Sequence, residues 1–242
     1  MRIRTVLLAL FLSVISSVGL AQDAAQQREN SPLPVAAQVV EVSASDGLTL
    51  IGEFYRVDPA RPTVLLLHQL YTNRLGWHPV LAPLLEAGYN LLSVDVRGYG
   101  ATGGTIYWNG AADDVGTWLV WLREVAGVRA DAISTMGSSM GSTLAILGCD
   151  RDALCRTAIA ISPGWNYFGL HIGDNLSTKP ILAIYAERDR WPALGIPLML
   201  EAAPETLATQ IYAGNAHGMD LIESEFDSIV PLVLGWLAAH GG

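Results

Sequence analysis

The chain has 242 residues, 51% apolar, 15% charged and 8% aromatic, with a formal net charge of -9. That apolar share excludes a disordered chain, and an acidic balance with Lys179 as the single lysine excludes a basic nucleic-acid-binding face. The glycines and prolines follow no three-residue period, which excludes a collagen-like fibre.

Two arginines in Met1 to Arg4, a mostly aliphatic run from Val6 to Ile15 and small residues leading to Gly19-Leu20-Ala21 form the pattern of a secretory signal. Cleavage is expected after Ala21, giving an exported protein, periplasmic or secreted. Serines interrupt the run, which falls short of the ~20 apolar residues that cross a bilayer, so no stable membrane anchor is expected after cleavage. Residues 22–37 are polar, contain Pro32 and Pro34, and read as a flexible lead-in. One domain is expected over residues 38–242.

From Val39 the chain alternates two patterns. Val39 to Val42 and Leu48 to Tyr55 read as strands around the turn residues Ser45-Asp46-Gly47. Thr63 to His68 is a short, nearly continuous apolar run, as expected for a strand covered on both faces. Helical spacing follows from Trp77 to Ala87, then a strand from Asn90 to Val94 and a glycine-rich loop from Arg97 to Gly104. A helix is expected over Asp113 to Val125, with Asp113 and Asp114 at its N-terminus. A strand over Ala132 to Met136, a helix from Met140 to Leu147 ending at Gly148, and strands over Thr157 to Ile161 and Ile181 to Ala186 come next. A helix near Pro192 to Ala203, a strand from Thr206 to Tyr212 and a helix from Met219 to His240 complete the chain. Buried strands alternating with amphipathic helices predict an α/β fold: a mostly parallel, eight-stranded sheet with helices on both faces and an antiparallel edge.

The chemistry centres on Gly137-Ser138-Ser139-Met140-Gly141, a G-x-S-x-G pattern. The pattern is weak alone, but here it lies directly between a strand and a helix, as a strained nucleophile turn requires. A serine hydroxyl needs a base to take its proton. Of five histidines, His217 alone lies in a glycine-bearing turn between a late strand and the last helix, where parallel sheets place their chemistry. Asp189, just past the strand Ile181 to Ala186, is the carboxylate expected to orient it, with Glu187 as the rival. Gly98-Tyr99-Gly100-Ala101-Thr102-Gly103 matches a dinucleotide fingerprint literally but does not open directly into a helix. No cofactor and no metal is expected.

Taken together, Leu67-His68-Gln69, Asp95-Val96-Arg97-Gly98-Tyr99-Gly100, the Ser139 turn, Asp189 and His217 resemble the α/β-hydrolase superfamily, in particular its small esterases and dienelactone-hydrolase-like enzymes. The resemblance covers nearly the whole chain from Val39. It implies an oxyanion hole formed by the backbone N–H groups of Leu70 and Met140. Gln69 stands where glycine is common, which leaves Gln69 open as an alternative donor, including through its side chain. Tyr71 would stand beside that hole.

Cys149 and Cys155 bracket a helix-to-strand connection. Combined with an export signal they point to a disulfide, the alternative being two free thiols. The segment Ser162 to Pro180 is too short for a large cap and has room for at most one short helix. Trp165, Tyr167 and Phe168 within it are candidates for lining an open mouth, or for packing alone. The expected activity is a serine hydrolase cleaving small or short-acyl carboxylic esters through a covalent acyl-enzyme. Acyl transfer or peptide cleavage at the same residues, and a hydrolase-fold binding protein without turnover, are the alternatives.

Overall fold

Strands that bury both faces need helices on both sides, and this chain supplies them. The computed structural model describes residues 32–173, 176 and 179–242, and its elements lie within the unit Leu33–Gly242. The export pattern ending at Ala21 and most of the lead-in fall outside the described residues.

The strands are β1 (Gln38–Ser43), β2 (Thr49–Tyr55), β3 (Thr63–Leu67), β4 (Asn90–Val94), β5 (Ile133–Ser138), β6 (Cys155–Ile161), β7 (Asn166–Tyr167), β8 (Leu170–His171), β9 (Ile181–Ala186) and β10 (Leu207–Tyr212). Eight of them form one sheet in the order β1-β2-β4-β3-β5-β6-β9-β10, while β7 and β8 pair as a separate small hairpin. The β1–β2 and β2–β4 pairings are antiparallel, and the pairings from β4 through β10 are parallel. The helices are α1 (His78–Glu86), α2 (Trp108–Glu124), α3 (Met140–Arg151), α4 (Arg190–Ala202), α5 (Met219–Ser224) and α6 (Phe226–His240). The expected architecture is therefore present, with no cap domain among the described residues.

Side chains on a strand alternate between faces. Leu65 and Leu67 of β3 with Leu92 and Val94 of β4 enter a core shared with α2 and α3. Val64, Leu66 and Leu91 enter a second core shared with α1 and α6. Burying each such leucine contributes about 1.5–3 kcal/mol against leaving it in water. The sheet is thus held from both faces, and its carboxyl-end loops project from a fixed platform.

Beyond shifts of one or two residues at element ends, three helices differ from expectation. α2 begins at Trp108, so Asp113 and Asp114 lie inside it. Asp114 turns inward as the bidentate partner of Arg97, with contacts of 2.7 and 2.6 Å, and Arg97 also reaches Asp46. α3 runs through Gly148 to Arg151. Gly148 is not a stop signal there; it lets α3 approach α2, since a Cβ would lie 2.2 Å from Val115 Cγ1. The expected final helix is two helices, because Glu225 (φ -118°, ψ 26°) leaves helical geometry while apolar residues on both sides enter one core. The segment after β6, with room for at most one short helix, carries the small β7–β8 hairpin. Cys149 and Cys155 form a disulfide joining the last turn of α3 to the start of β6, at the sheet end opposite Ser139.

His68, just past β3, is a satisfied core histidine. Its Nδ1–H donates to the Gln69 carbonyl at 2.7 Å and its Nε2 accepts the Val96 N–H at 3.0 Å. Burial lowers its pKa from the ordinary value, outweighing the Gln69 carbonyl and Asp95, which act the other way. The unfolded chain therefore takes up this proton at a higher pH than the folded one, and His68 removes stability as the pH falls below about 6.5. In urea titrations between about pH 7 and 5.5, stability should decline for the wild type and less steeply for His68→Asn; parallel slopes would contradict this assignment. Helix contact gives a second expectation. Gly116→Ala in α2, with nothing within 4 Å of the added methyl, should stabilise by up to about 1 kcal/mol. Gly148→Ala should destabilise by roughly 1 kcal/mol or more because the methyl meets Val115; equal shifts in the two urea midpoints would refute the close approach.

Candidate active site

The turn between β5 and α3 places Ser139 at a strained position. Its backbone has φ 52° and ψ -114°, a conformation costing on the order of 1–3 kcal/mol for a non-glycine residue. Surrounding bonds hold it there. Ser139 N–H donates to the Ile161 carbonyl at 2.8 Å, and the Ser139 carbonyl accepts from Ser142 N–H at 3.0 Å. The flanking glycines make room: a Cβ at 137 would sit 1.9 Å from the Gly141 carbonyl oxygen, and one at 141 would sit 2.0 Å from the Leu67 carbonyl oxygen. Backbone cannot retreat as a flexible side chain can, so these two positions are closed to any larger residue.

His217 reaches this serine from the loop between β10 and α5. Its Nε2 lies 2.7 Å from Ser139 Oγ, and its Nδ1 lies 2.7 Å from Asp189 Oδ2. A carboxylate only accepts, so Nδ1 carries the proton and Nε2 is the acceptor facing the serine hydroxyl. Asp189 is only 4% exposed and sits in the turn from β9 into α4. The rival Glu187 is exposed, with its carboxylate toward Gly214 N–H and Arg188. The structure thus brings Ser139, His217 and Asp189 into one hydrogen-bonded chain and leaves Glu187 outside it.

The loop after β3 is oriented from beneath. The Gln69 carbonyl accepts from His68 Nδ1–H and from both the hydroxyl (2.8 Å) and N–H (3.4 Å) of Thr72. In a trans peptide the following N–H points the opposite way, so Leu70 N–H is turned away from these donors. Met140 N–H is the first amide of α3 and has no acceptor within its own helix. The Gln69 side-chain oxygen accepts from Ser138 Oγ at 3.0 Å and Met219 N–H at 2.9 Å. That oxygen is occupied in joining loops. Asp95 secures the same loop further along, accepting Arg74 N–H at 2.8 Å and Ala101 N–H at 2.7 Å and pairing with the Arg74 guanidinium at 2.5 Å.

A cavity of about 470 Å³ opens above Ser139 and His217. Tyr71 and Tyr167 line it, together with Phe168 and Trp191, and Gln69, Ser162 and Asn166 add polar groups. Tyr71 is 87% exposed and adopts φ 61°. Phe168 stacks on Trp108 at 5.3 Å, and Tyr167 meets the same ring edge-on at 4.9 Å. Trp165 does not line the cavity. Its ring fills the space over Gly173, where a Cβ would lie 2.2 Å away, and it packs against the core formed with α4 and β9. Trp191 and Ser162 also line the cavity and lie outside the residues the sequence pattern marks. Ser162 is readable as the first residue past a buried strand, where a parallel sheet presents its chemistry, and Trp191 as a neighbour of Asp189 on the first turn of α4.

Residues 62–190, just over half of the chain, match the family described as alpha/beta hydrolase fold. The uncharacterized protein YfhR of Salmonella typhimurium (strain LT2) is 31% identical over 124 residues, 48% of this chain and 42% of YfhR. YfhR of Escherichia coli (strain K12) is 30% identical over 115 residues, 46% of this chain and 40% of that protein. The chain thus spans less than half the length of these curated relatives. Among solved structures, the Pyrococcus furiosus esterase Pf2001 superposes with a TM-score of 0.74 at 20% identity, covering 86% of this chain and 94% of that one. EstE1, a carboxylesterase cloned from a metagenomic library, superposes with a TM-score of 0.68 at 18% identity, covering 91% and 96%. At such identities the likeness is one of fold. The family match and the sheet order agree: the chain belongs to the α/β-hydrolase fold family.

Proposed function

We propose that this protein is a serine hydrolase that cleaves small, neutral carboxylic esters through a covalent acyl-enzyme. The observation that carries the reading is the pair of 2.7 Å contacts linking Ser139 Oγ to His217 Nε2 and His217 Nδ1 to Asp189. Ser139 Oγ attacks the ester carbonyl carbon as its proton passes to His217 Nε2. Asp189 stabilises the resulting imidazolium, and the carbonyl oxygen, now an anion, is held by the N–H groups of Leu70 and Met140. The intermediate collapses by expelling the alcohol oxygen, which takes the proton back from His217. Water then attacks the acyl-enzyme by the same route, freeing the acid and restoring Ser139.

The cavity supports the substrate class. Among its lining residues no side chain is formally charged apart from a protonated His217. An ester carrying a carboxylate would lose hydration there without gaining a cationic partner, which is costly. Aromatic walls and a volume of about 470 Å³ suit a short acyl chain or an aryl group. Action after export belongs to the same proposal, supported by the Met1 to Ala21 pattern and by the Cys149–Cys155 disulfide, which is characteristic of oxidising compartments.

A fluorophosphonate probe should label the wild type at Ser139 and leave Ser139→Ala unlabelled; labelling that persists in the variant would reject the assignment. Asp189→Asn should keep the fold and lower kcat by roughly 10³- to 10⁴-fold, because the imidazole loses its tautomer partner. On p-nitrophenyl esters, kcat/KM for butyrate should exceed that for hemisuccinate by about tenfold or more, reflecting the unpaired charge. Equal rates on the two would contradict the neutral-pocket account.

A further inference from the structure

We infer that Gln69 and Ser162 are positioning residues that hold the His217 turn in register with Ser139, an inference that rests on the hydrolase reading above. The two amides directly after His217 are accepted by side chains from two other strand ends. Gly218 N–H donates to Ser162 Oγ at 2.9 Å, and Met219 N–H donates to Gln69 Oε1 at 2.9 Å. Ser162 follows β6 and Gln69 lies two residues past β3, so the turn is gripped from both sides of β5.

Each grip continues into the serine turn. Gln69 Oε1 also accepts the hydroxyl of Ser138, the residue before Ser139, at 3.0 Å. One carbonyl oxygen therefore touches both the base loop and the nucleophile loop. On the other side, Ile161 accepts Ser139 N–H through its carbonyl, and the next residue, Ser162, accepts Gly218 N–H. The contact is tight: a Cβ at 218 would lie 2.1 Å from Gln69 Oε1 and 2.8 Å from Ser138 Oγ. Ser162 is buried and adopts φ 52°, a strained backbone like that of Ser139 just past the neighbouring strand. Strain of this kind persists only where the surroundings over-determine it, and here it directs the hydroxyl at Gly218.

The need for such a grip follows from the turn itself. Residues 214 and 218 are both glycines with positive φ, so the segment carrying His217 has little stiffness of its own. Asp189 fixes the ring at Nδ1, but a ring held only at that end pivots with its backbone. Fixing Gly218 and Met219 sets the backbone and so maintains the 2.7 Å contact with Ser139. Gln69, which stands where the resemblance leads one to expect glycine, thereby gains a task that glycine has no side chain to perform.

The test uses Gln69→Met, which keeps the length but removes the acceptor, together with Ser162→Ala and the double variant. Active sites are counted by fluorophosphonate, folding is checked by circular dichroism, and turnover is measured on p-nitrophenyl butyrate. Each single variant should lose about tenfold or more in kcat while KM stays within about twofold, because a displaced base weakens the transition state more than substrate binding. The double variant should lose less than the product of the two, since both act on one turn. Ser162→Ala, which removes a single oxygen, carries the test alone if Gln69→Met does not fold. A kcat within about twofold of wild type in the folded variants, or a loss confined to KM, overturns the positioning role while wild-type labelling at Ser139 leaves the hydrolase reading standing. Absence of labelling in the wild type overturns that reading and this inference with it.

Discussion

Everything at the site depends on how closely α3 approaches β3. The Gly141 Cα sits where an added methyl would be 2.0 Å from the Leu67 carbonyl oxygen, so the helix can start immediately above the sheet only with glycine there. That start forces the reversal at Ser139 into a positive φ, and the reversal lifts Oγ out of the sheet toward His217. A chain relaxed at this point would lay the serine flat along β5 and lose the contact. The strain is sustained by what lies beneath, namely strands buried on both faces and the Ser139 N–H bond to Ile161. The strands are packed closely on both faces, and this dense packing lets the platform place the site accurately.

The remaining groups come from strand ends on either side. β3 presents Leu70 through a peptide whose carbonyl is fixed by His68 and Thr72, β9 presents Asp189, and β10 leads to His217. Parallel strands make this convergence possible, since their carboxyl ends share one edge of the sheet. Buried ion pairs do the corresponding work for the loops. Arg74 with Asp95 and Glu53, and Arg97 with Asp114, have the bidentate or multiply bonded geometry that such pairs need to offset desolvation. The strained serine and the secured loops are thus two aspects of one arrangement, in which backbone geometry is held by surrounding contacts.

Much of this was legible in the amino-acid order. The limits of β9 are legible because residues covered on both faces read as an unbroken apolar run. Ser139 is marked by its G-x-S-x-G turn, His217 by a glycine-bearing turn before the last helices and Asp189 by its place just past β9, and the structure brings the three together. What escaped the sequence depends on tertiary neighbours. Asp113 and Asp114 have the composition of a helix start, yet Asp114 is set by Arg97, its partner from a preceding loop. Gly148 resembles a helix stop, yet its lack of a side chain accommodates Val115. Apolar spacing runs through the break at Glu225 without a mark. Trp165 and Tyr167 are two positions apart, and only the space over Gly173 sends one ring inward while the other lines the cavity. The use of the Gln69 side-chain oxygen is fixed by Met219 and Ser138, which converge on it from distant parts of the chain.

The central claim is that Ser139, activated by His217, forms a covalent bond to the acyl group. Acid quenching during turnover of p-nitrophenyl acetate, followed by peptide mass mapping, measures this directly. The account predicts a single acetyl group on the peptide containing Ser139 in the wild type, and none there in His217→Ala. An acetyl group on another residue, or a rate of ester cleavage unchanged in His217→Ala, would contradict it.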